Sequence, residues 1–352
     1  MKKQPMIVHV CRHILIPIVG LSFAYATFGQ TQQQTPNPLQ WSDSVVETEE
    51  EGTSVMIIPM DGQMHTDIRN DVYDDLVDRI KEINPDLIIV EMLSMDWKNN
   101  FHQLMGWGDR DEFSRYDRDD LIALAFIFHI KLKDIPQVVW VKNASGTSTV
   151  LSLSWPTLYM SYDGYLHATM GVSRMFDYIK AEDTHGKIRE AAVAHSKAFA
   201  LYGNRSPALL RAFVDPEVPL SGTWKGKEVV WEESIDGDFV IDPGQGMPHL
   251  SATIASEVGI SKGSVRSRND VLLAQGIREY HIVGKEISNI ITAHIEDWRS
   301  DFKRCGKVWD DSQQYAKWAV GDDMERYLRE QLRALKKVLR YIQDSTPLAL
   351  RC

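Results

Sequence analysis

The sequence has few cysteines and only a short apolar run, and both features limit the class of protein. Three cysteines, Cys11, Cys305 and Cys352, occur among 352 residues, too few for the disulfide framework of a small secreted domain. The apolar run from Ile14 to Phe28 spans about fifteen residues, whereas a membrane-spanning helix needs roughly 20. With 43% hydrophobic and 25% charged residues, the chain can still bury a core and is not disordered overall.

Motifs for bound cofactors are also missing. The chain contains no phosphate-cradling G-x-x-x-x-G-K, no dinucleotide G-x-G-x-x-G and no zinc-binding H-E-x-x-H, so we expect no cofactor and no metal. A net charge of −10 without a basic stripe argues against binding nucleic acid, because an acidic surface repels phosphate.

The first thirty residues are typical of an export signal or an N-terminal anchor. Positive residues Lys2, Lys3 and Arg12 precede the apolar run, and small residues follow it, which is the order of a secretory signal. We therefore predict that residues 1–30 direct the protein to the periplasm or a membrane. In an oxidising compartment, Cys305 and Cys352 could form a disulfide or remain thiols, and the sequence leaves both open.

Residues 31–52 are rich in Gln and Glu and predict a linker. After it, buried strands alternate with amphipathic helices. "SVMIIPMDGQM" reads as a strand and turn, "DIRNDVYDDLVDRIKEI" as a helix stopped by Asn84-Pro85, and "DLIIVEML" as a second strand. "DRDDLIALAFIFHIKLKDIP" is a further helix, and "QVVWV" a third strand. This order predicts an α/β fold with a parallel sheet and crossover helices.

The C-terminal part reads as helical. Leu328, Leu332, Leu335, Leu339 and Ile342 recur at steps of four and three residues, which is a coiled-coil-like pattern. We expect this stripe to pack on the parent domain or on a sister helix. The predicted segments are 1–30, 31–52, a core of 53–280 and a helical extension of 281–352.

Three separated stretches resemble the ClpP/crotonase superfamily, and within it the NfeD-like and signal-peptide-peptidase-like serine peptidases. They are "VMIIPMDGQM" with the following helix and "DLIIVEM", then "VVWVKNASGTSTVLSLSWPTLYM", and then "LSATIASEVGISKGSVRSRNDVLLAQGI". The intervening "GKIREAAVAHSKAFALYGNRSPALLRAFVD" is similar to the family's lysine-bearing helix. The resemblance covers about Val55 to Ile277. It implies a ClpP/crotonase-like fold, a polypeptide substrate or a membrane-protein partner, and a homo-oligomer.

In that family a serine attacks the peptide carbonyl and a lysine about forty residues later accepts its proton. The resemblance implies Ser145 as nucleophile and Lys187 as base, when the alignment is shifted by one residue. Without the shift Gly146 occupies the serine position. Ser148 is a second candidate nucleophile if the turn differs. Alternatively, Ser145 is a turn or helix-capping hydroxyl, and Lys187 is a solvated helix residue near Glu190.

The same resemblance implies an oxyanion hole made of backbone N–H groups near Gly146 and Ser94. The chain departs from the family here, because "EMLSMDW" stands where the family has a Gly-Gly pair. Two functions therefore remain open: an exported or membrane-tethered serine peptidase, or an inactive scaffold of the same fold that binds polypeptides or membrane partners. Acyl-thioester chemistry is disfavoured, since no basic, Gly-rich coenzyme A site is evident.

Overall fold

The computed structural model describes residues 44–94, 115–168, 181–244 and 246–345. The chain divides into residues 1–38 and 39–352, and all described residues belong to the second unit. The predicted export segment, most of the predicted linker and Cys352 lie outside the described residues. The division of the chain into four segments stays a prediction.

The first half of the described chain alternates strands and helices. Its elements are β1 (Val46–Glu47), β2 (Thr53–Gly62), α1 (Asn70–Asp74), α2 (Val77–Ile83), β3 (Leu87–Ser94), α3 (Arg115–Phe126, extended by a π-turn over Ile127–Lys131), β4 (Gln137–Ser145), α4 (Thr147–Ser152), β5 (Leu158–Ser161) and β6 (Tyr165–His167). Asn84 ends α2 in the left-handed conformation, with φ of 48°, as the Asn84-Pro85 pair predicted.

The second half adds a small sheet and the long helices. Its elements are α5 (Glu182–Tyr202), α6 (Pro207–Ala212), β7 (Leu220–Lys225), β8 (Glu228–Glu232), β9 (Phe239–Asp242), β10 (His249–Ser251), α7 (Ala252–Glu257), β11 (Ser264–Val265), α8 (Arg268–Ala274), β12 (Glu279–Val283), α9 (Lys285–Trp318) and α10 (Met324–Asp344). A 3₁₀ turn, Gly321–Asp323, joins the last two helices.

The main sheet is parallel, in the order β1-β12-β2-β3-β4-β5-β11. β6 pairs in parallel with the end of β4 and antiparallel with β10. The predicted α/β architecture with a parallel core and crossover helices is therefore confirmed, as is the helical C-terminal stretch.

Both faces of the sheet are covered, which explains why its strands are apolar runs. On β2, Met56, Ile58 and Met60 point into the larger core, and Val55 and Ile57 point into a smaller one on the opposite face. Helix α9 belongs to the larger core through Ile287, Ile291 and Ile295. The first C-terminal helix therefore packs directly on the sheet.

His129 is a half-buried titratable group beside this core. It lies in the π-turn, with its Nε2 2.7 Å from the Ser154 hydroxyl and its ring stacked on Tyr202 at 4.9 Å. Burial lowers the pKa of His129 from 6.5 to about 4, because the charged imidazolium loses hydration.

Acid should therefore destabilise the fold through His129. Between its folded and unfolded pKa values the unfolded chain binds more protons, so stability falls as pH drops from 6.5 toward 4. From pH 7 to pH 5 we expect His129 to cost about 2 kcal/mol of the free energy of unfolding. Urea denaturation at the two pH values measures this cost. In His129→Gln the free energy of unfolding should fall by about 2 kcal/mol less between the two pH values than in wild type. Equal falls in both proteins would show that His129 does not cause the acid destabilisation.

Candidate active site

The carboxyl ends of three neighbouring strands bring the predicted hydroxyl side chains to one edge of the sheet. Gly62 at the end of β2 pairs with Ser94 at the end of β3, and β4 continues beyond its pairing with β3 to Ser145. In open parallel sheets, this edge is where ligands bind. The fold therefore collects Ser94, Ser145 and Ser148 where a site is expected.

A sharp turn follows Ser145. Gly146 adopts φ 65° and ψ −128° between the end of β4 and the start of α4, a conformation that disfavours any side chain. The Gly146 N–H donates to the His167 carbonyl at 3.0 Å, and the Thr149 hydroxyl lies 2.9 Å from the carbonyls of Ala144 and His167. The turn is thus fastened to β6, which fixes the direction of Ser145.

The Ser145 hydroxyl is buried and makes no hydrogen bond to the described residues. The residue is 4% exposed, and its Oγ has no partner there. It does not cap α4, whose N-terminus lacks a side-chain cap, so the alternative of a capping hydroxyl finds no support. A buried, unpaired hydroxyl costs about 1–3 kcal/mol, and a catalytic role is one explanation for such a cost.

Ser148 differs from Ser145 because its hydroxyl is hydrogen-bonded. Its hydroxyl donates to the Ser94 hydroxyl at 2.8 Å, and both residues are buried. The structure therefore brings Ser94 and Ser148 together as a structural pair that links α4 to the end of β3. Of the two candidate nucleophiles, only Ser145 has an uncommitted hydroxyl in the described part of the chain.

Lys187 lies on the exposed side of α5. Its ammonium makes no hydrogen bond to Ser145, whose Oγ has no described partner. Glu190, the neighbour suggested for it by sequence, lies 3.7 Å from Arg211 instead. The structure thus does not bring the predicted serine and lysine into contact.

A histidine occupies the position beside Ser145. β4 and β6 pair in parallel with Ser145 opposite His167, and register partners on neighbouring strands project from the same face about 4.8 Å apart. His249 is in turn the antiparallel partner of His167. Ser145, His167 and His249 therefore form a row across three strands, which the sequence analysis did not find.

The two histidines in this row contact each other. Nδ1 of His167 lies 3.2 Å from Nδ1 of His249, so one nitrogen donates a proton and the other accepts it. When His167 is the donor, its Nε2 carries a lone pair and can accept a proton. An uncharged imidazole in that tautomer is the form that activates a serine hydroxyl.

Charged residues surround the ends of β2 and β3. Glu91 accepts from Lys142 at 2.7 Å and from Arg268 at 2.8 Å. Burial raises the pKa of Asp61, an effect that the nearby Arg299 partly opposes. Through its contacts with Lys142 and Arg268, Glu91 links β3, β4 and α8 on the face opposite the larger core.

Among the described residues, no cluster of three or more His, Cys, Asp or Glu side chains is arranged to hold a metal ion. Over the same ranges, no helix combines the length and apolarity needed to cross a membrane. Cys305 is buried in α9. Cys352 lies outside the described ranges, so the choice between a disulfide and two thiols stays open.

No protein-family model and no curated protein sequence matches the chain. Several solved structures are similar to it. One is a membrane-bound stomatin-specific protease in complex with a substrate peptide, with 14% identity and a TM-score of 0.42, over 68% of this chain and 99% of that one. Another is a membrane protease from Pyrococcus horikoshii specific for a stomatin homologue, with 16% identity and a TM-score of 0.36, over 64% and 79%.

A third structure is a putative enoyl-CoA hydratase/isomerase from Acinetobacter baumannii, with 7% identity and a TM-score of 0.28, over 87% of this chain and 96% of that one. Structures of the ClpP/crotonase superfamily, which the sequence resembles, are thus among those similar to this chain. Likenesses this distant assign no activity, so function must come from the residues of the site.

Proposed function

We propose that the protein is a serine hydrolase that cleaves polypeptides, with Ser145 as its nucleophile. The observation that carries the proposal is the Ser145 hydroxyl, buried and without a described partner, next to His167 in the strand register, at a glycine turn on the carboxyl edge of the sheet. The position of a nucleophile at a sharp turn between strand and helix suits attack on a bound carbonyl.

His167 makes no hydrogen bond to Ser145 Oγ in this structure, so the mechanism requires the two side chains to approach each other when substrate binds. His167 Nε2 then accepts the Ser145 proton as Oγ bonds to the peptide carbonyl carbon. The tetrahedral intermediate collapses when His167 returns that proton to the leaving amine, and water then hydrolyses the acyl-enzyme by the same route. We assign the oxyanion to amide groups around Gly146 and Ser94. For the Gly146 N–H to donate to the oxyanion, it must first give up its hydrogen bond to the His167 carbonyl.

The first test is labelling of the purified full chain with a fluorophosphonate probe, followed by mass spectrometry of its peptides. We expect an adduct on the peptide that contains Ser145. An adduct on Ser148 alone would move the nucleophile to the second serine. A folded protein without any adduct, and without hydrolysis of a casein substrate, would contradict the proposal.

The base can be identified by comparing two variants. We expect His167→Ala to lower the labelling rate at least about a hundredfold, as loss of a general base does, and Lys187→Ala to leave it within a few-fold of wild type. His281→Ala is the matched control, since His281 lies on β12, three strands away from β4, with its Nδ1 3.1 Å from the Glu51 carbonyl. The reverse result would restore the Ser145–Lys187 dyad implied by the resemblance.

A polypeptide-binding scaffold without activity is the second candidate. Its support is the exposed Lys187 and the engaged Gly146 N–H, since neither is arranged for catalysis. Peptide binding that survives in Ser145→Ala, together with absence of labelling in wild type, would favour it. Export of the protein, its association with a membrane and its assembly as a homo-oligomer remain proposals that either function allows.

A further inference from the structure

The outer face of α10 carries a stripe of leucines that the rest of the described chain leaves uncovered. The helix packs on α9 through Val338, Tyr341 and Ile342, which contact Trp298 and its neighbours. Leu328, Leu332 and Leu339 are instead 45%, 54% and 51% exposed. The sequence predicted that this stripe would be packed, whereas in the structure only one side of the helix packs on α9 and these three leucines stay exposed.

These leucines form one continuous surface. Spacings of four and seven residues place them on the same side of a helix, and Met324, 50% exposed, continues the line by one turn toward the helix start. Trp318 and Val320, at the turn before α10, are also 47% and 69% exposed. We call the surface formed by Trp318, Val320, Met324, Leu328, Leu332 and Leu339 the leucine face.

A row of basic residues runs beside the leucine face. Arg329, Arg333 and Arg340 each directly follow one of its leucines, which places them about 100° around the helix. All three are exposed. Helix α10 holds six Lys or Arg against three Asp or Glu, whereas the whole chain carries a net charge of −10.

We propose that the leucine face docks on an anionic lipid surface. A helix with an apolar face, an adjacent row of Lys or Arg and a tryptophan at its end suits the boundary between headgroups and acyl chains. The basic row complements the negative charge of such a surface. Arg329 and Arg333 pair with Glu325 and Glu330 on the same helix, but the helix keeps more Lys and Arg than Asp and Glu. This positive excess repels a second copy of the helix, so charge favours the lipid over self-association. The proposal does not rest on the hydrolase activity.

Flotation of the full chain with phospholipid vesicles tests this docking. We expect the wild type to bind vesicles made of equal parts phosphatidylglycerol and phosphatidylcholine, and binding to weaken as salt rises from about 0.1 M to about 1 M. The triple variants Leu328→Ser/Leu332→Ser/Leu339→Ser and Arg329→Gln/Arg333→Gln/Arg340→Gln should each bind at least tenfold less. Every variant keeps the N-terminal apolar segment, so any difference in vesicle binding between the variants and wild type comes from α10.

The matched control replaces three exposed apolar residues elsewhere, Leu201→Ser/Ile235→Ser/Val240→Ser, which are 76%, 59% and 46% exposed. It should bind as wild type does. Unchanged binding in the leucine variant, or equal wild-type binding to pure phosphatidylcholine, would overturn the proposal. A drop in sedimenting mass of the leucine variant with unchanged vesicle binding would also overturn it, and would assign the face to a second copy.

Discussion

Replacing Ser145 by alanine is expected to abolish labelling by the fluorophosphonate probe, by at least about a thousandfold, because the attacking oxygen itself is lost. Ser148→Ala is the matched control, since it removes a buried hydroxyl from the same turn. Ser148 donates to Ser94 rather than lying unpaired, so its replacement should leave labelling within a few-fold of wild type. Equal labelling of Ser145→Ala and wild type would rule out Ser145 as the nucleophile.

The same two variants should rank the other way in stability: Ser145→Ala, which loses labelling, should keep its stability, and Ser148→Ala, which keeps labelling, should lose some. Ser145→Ala removes a buried hydroxyl that has no described partner, so its melting temperature should equal or exceed that of wild type. Ser148→Ala breaks the hydrogen bond to Ser94 and should cost about 1 kcal/mol. A large destabilisation by Ser145→Ala would mean that the hydroxyl has a structural role.

Replacing Asp67 by alanine is expected to give the largest loss of stability. Asp67 is 3% exposed. Its Oδ1 accepts from Trp298 Nε1 at 2.9 Å and Arg299 Nε at 2.7 Å, and its Oδ2 accepts from the Gln63 N–H at 2.7 Å. One carboxylate thus joins the segment after β2 to helix α9. Removing one partner from a buried charge network costs about 3–5 kcal/mol.

Urea denaturation should show this loss in the free energy of unfolding. Asp301→Ala is the control: Asp301 lies on α9 and pairs with Arg304, and both side chains are exposed, so its loss should cost less than about 1 kcal/mol. Asp67→Asn should fall between the two, because it keeps an acceptor and loses the charge. If Asp67→Ala cost no more than Asp301→Ala, the carboxylate would not hold α9 in place.

The backbone near the site was predictable from local patterns. Apolar runs predicted β2, β3 and β4, and Asn84-Pro85 predicted the end of α2, because strand and helix periodicities are set by neighbouring residues. Small and hydroxylated residues after the β4 strand predicted a turn at Ser145–Gly146. Ser145, Ser148 and Ser94 were named as site residues from the family resemblance rather than from these local patterns.

The partners of those residues were decided by tertiary structure. His167 lies beside Ser145 only because β6 pairs with the end of β4 in one register, and a shift of one residue would turn His167 to the other face. The exposure of Lys187 likewise depends on how α5 packs. Neither feature follows from local sequence patterns, because strand register and helix packing join residues far apart in the chain.

The C-terminal helix shows the same division. The spacing of its leucines determined that α10 is amphipathic. An arginine directly after each of three leucines determined its basic row. Which flank of the helix packs on α9 was decided by tertiary structure, because the contacts of Val338 and Ile342 rotate the leucine face outward. Periodicity is a local property of the backbone, whereas burial depends on what the rest of the chain brings against each face.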